Sequence, residues 1–234
     1  VVVDNKPGAG GRLAVEELKR SPNDGSVLLL TPASMITLYP HLYTKLAYGI
    51  EDVTPLSTAC MVSFGFGVGP AVPESVKSLK DFLAWAKANP NAANYGSPGA
   101  GSPPHFVGAL LSKESGVELR HVPYRGSAPG IQDLLGGQVT SFTSPIGDYL
   151  PHLKSGKLRL LATSGAARSR FTPDVPTYTE QGFKPLEFSE WFGFFLPGKA
   201  APDLTQRLGA AIKAAVMAPD TVEAFAQLGL EAQA

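Results

Sequence analysis

Two apolar runs limit the topologies open to this chain: VSFGFGV at 62–68, followed by Pro70 and Pro73, and EFSEWFGFFL at 187–196. Both read as long extended segments, and the glycines and trailing prolines of the first mark a strand that leaves one core and enters another. Between and around them, short β-rich runs alternate with amphipathic helical runs, the pattern of an α/β fold on mostly parallel sheets. Two crossing strands that bracket a contiguous block predict two lobes: a discontinuous one of residues 1–64 plus 188–234, and a second of residues 65–187. Paired crossing strands can flex together as a hinge. A chain of 234 residues with 44% apolar content can supply one large core or two modest ones.

Local patterns place the elements. Residues 1–4 read as a strand, 11–20 as a helix with Leu13, Val15 and Leu18 toward the core, and 27–31 as the next strand. Ser78 and Asp81 form a capping box for a helix carrying Leu79, Phe82, Leu83 and Ala86, ended by Asn89-Pro90. In the second lobe, strands at 93–95, 118–122, 138–142 and 158–162 alternate with helices that begin near Ser102, Ser127 and Pro145. Helices at 203–217, with Leu204, Leu208, Ala211, Ile212 and Ala215 on one face, and at 220–229 close the chain.

Lys plus Arg equals Asp plus Glu at 20 each, so no basic field exists to hold a nucleic-acid backbone. No apolar run reaches the ~18 residues of a membrane span. Cys60 is the single cysteine, which excludes an internal disulfide and reads as a small buried residue. The sequence opens in mid-strand without a signal peptide, so its natural beginning is expected to lie outside it.

The segment most informative about function is NYGSPGAGSPPH at 94–105, a strand entering a Gly/Ser turn and then a helix with Ser102 at its N-cap and proline just inside. Ser97, Gly99, Ala100, Gly101 and Ser102 can aim amides and hydroxyls at one point, where the helix dipole favours an anion such as a carboxylate. The same residues also suit a plain strand-to-helix turn with Ser102 only capping. The loop lacks the Gly-Lys-Ser/Thr of a phosphate loop and the Gly-x-Gly-x-x-Gly of a dinucleotide site.

A second strand-to-helix turn, VPYRGSAP at 122–129, offers Tyr124, Arg125 and Gly126 ahead of Ser127 as N-cap. Arg125 can pair with a second ligand carboxylate or stay solvated, and Tyr124 can face ligand or core. Ser144 ends another strand, where open α/β sheets bind ligands, or it caps the next helix. Thr31 and Ser34 are the hydroxyl candidates from the first lobe, and Trp191, with Phe192, either walls the cleft or packs in the core. For catalysis there is little: His41, His105, His121 and His152 have no metal-ligand spacing and no Gly-x-Ser-x-Gly elbow occurs. Neither a metal nor a cofactor is implied. A hydrolase or transferase built on Ser102 and His105, and a sensor lobe for a signalling partner, stand as the alternatives to a binding receptor.

Several long motifs, in order, resemble one family: DNKPGAGG at 4–11, PHLYTKLAYG at 40–49, NYGSPGAGSPPH at 94–105, HVPYRGSAPGIQDLLGGQV at 121–139, LPHLKSGKLRLLATS at 150–164, RSRFTPDVPTYTEQGF at 168–183 and WFGFFLPGKAAP at 191–202. The chain resembles the Bug-type, or tripartite tricarboxylate transporter, periplasmic substrate-binding receptors. The resemblance implies a two-lobed Venus-flytrap α/β receptor, monomeric by default, that binds a small organic acid and delivers it to membrane permease subunits. It also implies a further N-terminal strand and a C-terminal tail, that the loop matching Ser97–Ser102 holds one ligand carboxylate and that the position of Ser144 helps set ligand choice. Family members often carry Asp there, so Ser144 removes a negative charge and points to a dicarboxylic or aromatic acid rather than an amino acid.

Overall fold

The computed structural model describes residues 1–6 and 8–234; Pro7, in the DNKPGAGG motif, lies outside the described residues. In chain order the elements are α1 (Arg12–Arg20), β1 (Leu29–Pro32), α2 (Ser34–Thr37), α3 (Tyr39–Leu42), β2 (Val53–Val68), α4 (Leu79–Ala88), β3 (Asn94–Ser97) and α5 (Pro103–Ser115). They continue with β4 (Arg120–Pro123), α6 (Ser127–Leu135), β5 (Ser141–Pro145), α7 (Leu150–Leu153), β6 (Arg159–Thr163), β7 (Ser189–Pro197), α8 (Pro202–Val216), α9 (Pro219–Gln227) and β8 (Glu231–Ala232). The chain divides into two compact units, Val1–Met61 with Glu190–Ala234, and Val62–Ser189, so the boundaries fall inside β2 and at the start of β7.

In the first unit β1 runs antiparallel to β7, with Thr31 opposite Gly193 and Pro32 opposite Phe192, and β8 pairs with β2 at Cys60 and Met61. Its core gathers Val15, Leu18, Met35, Ile36, Tyr39, Tyr48, Val53 and Phe195. In the second unit the end of β2 lies antiparallel between β5 and β6, while β5, β3 and β4 run parallel to one another. The sheet is thus less parallel than the alternating pattern predicts. Direct continuation of a long strand, without a helical crossover, puts no parallel constraint on β2. Its glycines serve packing: a Cβ at Gly67 would stand 2.5 Å from Tyr149 Cε1, and Tyr149 donates its hydroxyl to the Phe142 carbonyl at 2.6 Å.

The helix over Leu79–Ala88 forms as its capping box predicts: Ser78 Oγ accepts from Asp81 N–H at 3.1 Å, Asp81 Oδ2 accepts from Ser78 N–H at 3.0 Å, and Leu79, Phe82, Leu83 and Ala86 are buried. Other expectations are corrected. Residues 1–4 form no strand, and Val1, Val2 and Val3 are exposed, because no described strand takes up their amides. Leu13 is exposed although Val15 and Leu18 are buried, since a residue two before Val15 falls on the far side of a helix. On α8 the inward stripe is Leu204, Leu208, Ile212 and Val216 at intervals of four, and Ala211 and Ala215 face solvent. Ser127 is the first residue of α6 rather than its cap, which is Gly126 at φ 104°, and Pro145 leads into a 3-10 turn, Ile146–Asp148, rather than a helix.

Candidate functional site

Parallel pairing of β5, β3 and β4 brings three turns to one edge of the second unit, at the carboxyl ends of these strands. Open α/β sheets bind ligands on this edge. The turn after β3 leads into α5, the turn after β4 into α6, and Ser144 closes β5. Main-chain bonds stitch the first two together: Tyr124 N–H donates to Ser97 O at 2.9 Å and Gly126 N–H to Pro98 O at 2.8 Å. Gly126 keeps its left-handed backbone with open space where a side chain would begin. Nine sequence-predicted residues meet here: Ser97, Gly99, Ala100, Gly101, Ser102, Tyr124, Arg125, Gly126 and Ser144.

The donors of the first turn are more committed than the sequence suggests. The Gly99 carbonyl accepts from Ser97 Oγ at 3.1 Å, Ser102 Oγ at 2.6 Å and Ser102 N–H at 3.3 Å, and Gly101 N–H donates to His105 Nδ1 at 3.2 Å. Ser102 is the N-cap of α5, yet its side chain makes no capping bond: its hydroxyl turns to the Gly99 carbonyl, and Pro103 and Pro104 have no N–H to offer it. Among the described residues, the amides of Gly99 and Ala100 have no hydrogen-bond partner, and a Cβ on Gly99 would meet nothing. The open anion-binding donors of this turn are therefore Gly99 and Ala100.

Behind the turn stands a group that sequence reasoning left as isolated histidines. His105 on α5 and His121 on β4 lie face to face, ring centroids 4.1 Å apart. Buried Tyr95 faces both and donates its hydroxyl to His105 O at 3.1 Å. His121 Nε2 is 2.8 Å from Ser97 Oγ. The tautomer of His121 sets which of the two donates. Burial holds His105 below the usual imidazole range; burial, then repulsion from His105, pushes His121 down to about 4. The pairing predicted for a hydrolase is absent: Ser102 bonds to Gly99 rather than His105, and Ser97, which does meet a histidine, is fully buried. No group of three metal-ligating side chains occurs among the described residues.

The third turn corrects an electrostatic expectation. Ser144 is fully buried and its Oγ donates to Asp148 Oδ2, while Ser127 Oγ lies 3.0 Å from Ser144 Oγ. The single proton of Ser144 is spent on Asp148, so Ser127 is the donor to Ser144. A carboxylate stands at this place all the same, because Asp148 is bonded directly to Ser144. The Tyr124 hydroxyl donates to Asp133 at 2.9 Å and its ring packs edge-on against Phe142, whereas the Arg125 side chain is exposed.

Thr31, Ser34 and Trp191 belong to the first unit and are neighbours there through the β1–β7 pairing. Ala33 N–H donates to Trp191 O at 2.9 Å, and the Trp191 ring packs on the core beside Phe195. Ser34 N–H donates to Glu190 Oε1 at 3.0 Å, while Ser34 Oγ is buried without a partner. Glu190 is buried, and burial pushes its carboxyl up, with the bond from Ser34 acting in the opposite direction. Sequence reasoning passed over it, though the signal was visible: an acid inside the apolar run EFSEWFGFFL.

Comparison with known proteins adds a family. The tripartite tricarboxylate transporter family receptor matches residues 1–234. The UPF0065 protein in the gbd 5′ region of Cupriavidus necator is 35% identical over 232 residues, covering 99% of this chain and 69% of its own. Among solved structures, the periplasmic binding protein BugD has a TM-score of 0.88 at 29% identity, over 99% of this chain and 77% of its own. MatC of Rhodopseudomonas palustris with bound malate has a TM-score of 0.84 at 26% identity, over 96% and 76%. R. palustris Rpa4515 with adipate has a TM-score of 0.88 at 26% identity, over 99% and 77%.

Proposed function

Because the chain belongs to the tripartite tricarboxylate transporter receptor family, we propose that it is an extracytoplasmic solute receptor that captures a small carboxylate and delivers it to membrane permease subunits of that transporter type. The observation that carries the anion is the pair of unpartnered amides at Gly99 and Ala100, on the carboxyl edge of the parallel strands and beside the start of α5. Amides fixed by surrounding hydrogen bonds bind an anion without reorganisation, and a site of neutral donors suits a protein with no net field. A dicarboxylic acid is favoured, in keeping with malate and adipate in the two structural relatives. Asp148 adds an acceptor beside Ser144 that suits a ligand hydroxyl or ammonium group. In this reading nine of the predicted residues form the site on the second unit.

A thermal-shift screen against mono-, di- and tricarboxylates, aromatic acids and amino acids, followed by calorimetry, tests the reading. Stabilisation by one acid class, lost in Gly101→Ala with Ser102→Ala, is expected, since Gly101 holds φ 78° and Ser102 anchors the Gly99 carbonyl. A chain stabilised by none of these acids would not be a carboxylate receptor.

A further inference from the structure

We propose that the stacked His105–His121 pair is part of the ligand site, and that an anion is taken up on the Gly99–Gly101 turn together with a proton on His105. The proposal rests on the reading of this turn as the anion site. His105 Nδ1 accepts the Gly101 N–H at 3.2 Å, which requires a ring whose one proton sits on Nε2. His105 therefore acts as a neutral placeholder, occupying with its lone pair an amide that an anion would compete for. Protonation at Nδ1 removes that lone pair. Gly101 N–H is released beside the already open amides of Gly99 and Ala100, and the imidazolium becomes a charged donor at the same place.

Three features make the proton wait for the anion. A cation at the first turn of α5 is disfavoured by the helix dipole until a negative charge arrives to offset it. The His121 ring, its centroid 4.1 Å from that of His105, resists a second charge, so at most one of the two rings is protonated. Pro103 and Pro104 remove two of the amides by which a helix start ordinarily holds an anion, so an additional donor is needed, and His105 is the nearest side chain that can become one.

The elements packed on the pair bring few other charges. Tyr95 faces both rings from β3; β4 brings Arg120, exposed, one residue before His121; the 3-10 turn at Lys184–Leu186, packed on α5, brings the exposed Lys184; and β5 brings no titratable side chain. Lys113 and Glu114 lie at the far end of α5. Burial depresses both imidazoles, and His105 further depresses His121, which is the state an arriving anion reverses.

The test is calorimetry of the intact protein with adipate and with malate, between about pH 6 and pH 8, in buffers of differing ionisation enthalpy. Both diacids are fully ionised over most of this range, so protons taken up on binding come to the protein. Uptake approaching one proton per bound diacid near pH 6 is expected, with affinity rising as pH falls by up to about tenfold per pH unit. In His105→Gln, whose amide oxygen can still accept the Gly101 N–H but which gains no proton, affinity near pH 6 should fall several-fold below the parent, with no uptake and a flat pH profile. Binding without proton uptake in the parent protein, or uptake undiminished in His105→Gln, would overturn the proposal and leave the receptor reading intact. No binding of any acid in the wider screen would overturn both.

Discussion

Gly108 on α5 provides a quantitative test of the packing beneath the candidate site. A methyl group there would stand 2.1 Å from Tyr95 Cε2 and 2.4 Å from Cδ2, where carbon atoms in contact keep about 3.5–4 Å. Tyr95 is almost fully buried and its hydroxyl is tied to His105 O, so the ring cannot simply swing aside. Overpacking of this kind costs about 1–3 kcal/mol. Alanine in place of glycine inside a helix returns about 1 kcal/mol. Contacts this short against a tied ring put the overpacking at the upper end of its range, so the balance for Gly108→Ala is a loss of about 2 kcal/mol, or about 4–8 °C in a chain of this size. Because Tyr95 faces both imidazoles, the same substitution should perturb the ring resonances of His105 and His121. In a Tyr95→Leu background the obstacle is gone, and Gly108→Ala should become stabilising, which makes the pair a double-mutant cycle with a change of sign. Calorimetric or urea unfolding of the four proteins decides it. Gly108→Ala as stable as the parent, or equally destabilising in both backgrounds, would refute the argument from Tyr95.

The histidine pair makes stability pH-dependent. Both rings sit below the ordinary imidazole value, so the folded state holds fewer protons than the unfolded chain between about pH 6.5 and pH 4; stability is full above this window and falls as pH drops through it. The shift of His121 from 6.5 to about 4 equals about 3 kcal/mol at face value, reduced to about 1 kcal/mol by solvent screening of a partly exposed ring, and urea midpoints at about pH 7 and pH 4.5 should converge in His121→Gln. Glu190 has the opposite sign: burial raises its carboxyl, so its contribution is full below the unfolded value and is lost as pH rises through the folded one, and Glu190→Gln should unfold at a higher temperature than the parent at pH 7 but not near pH 4. Ser78→Ala removes one arm of the α4 capping box and should cost about 1 kcal/mol in urea unfolding. Cys60 is buried, with its thiol pushed up to about 11 by burial, so it should not react with a disulfide reagent at pH 8 until the chain is unfolded in urea.

Local signals located the longer helices and the strands of the second unit to within a few residues, but missed α2, α3 and the first nine residues of β2. The capping box of α4, the cap at Ser102 and the strand-to-helix turns after β3 and β4 depend on neighbours in sequence. They were legible for that reason. The valines at 1–3 failed as a strand because a strand exists only by pairing, and Leu13 failed as a core residue because an apolar type without the right phase does not reach the core.

What the sequence determined by itself was the order of elements, the two crossing segments, the residues of the candidate site and, through its long motifs, the family. What only the tertiary structure decided was how those residues spend their protons. Ser97 meets His121 across 24 positions, Ser34 meets Glu190 across 156, and the Gly99 carbonyl absorbs the hydroxyls that might have faced a ligand. A hydroxyl has one proton to give and a buried carboxylate takes whichever donor lies within reach. Which amides stay open is therefore settled by distance in the folded chain, which no local period or turn rule encodes.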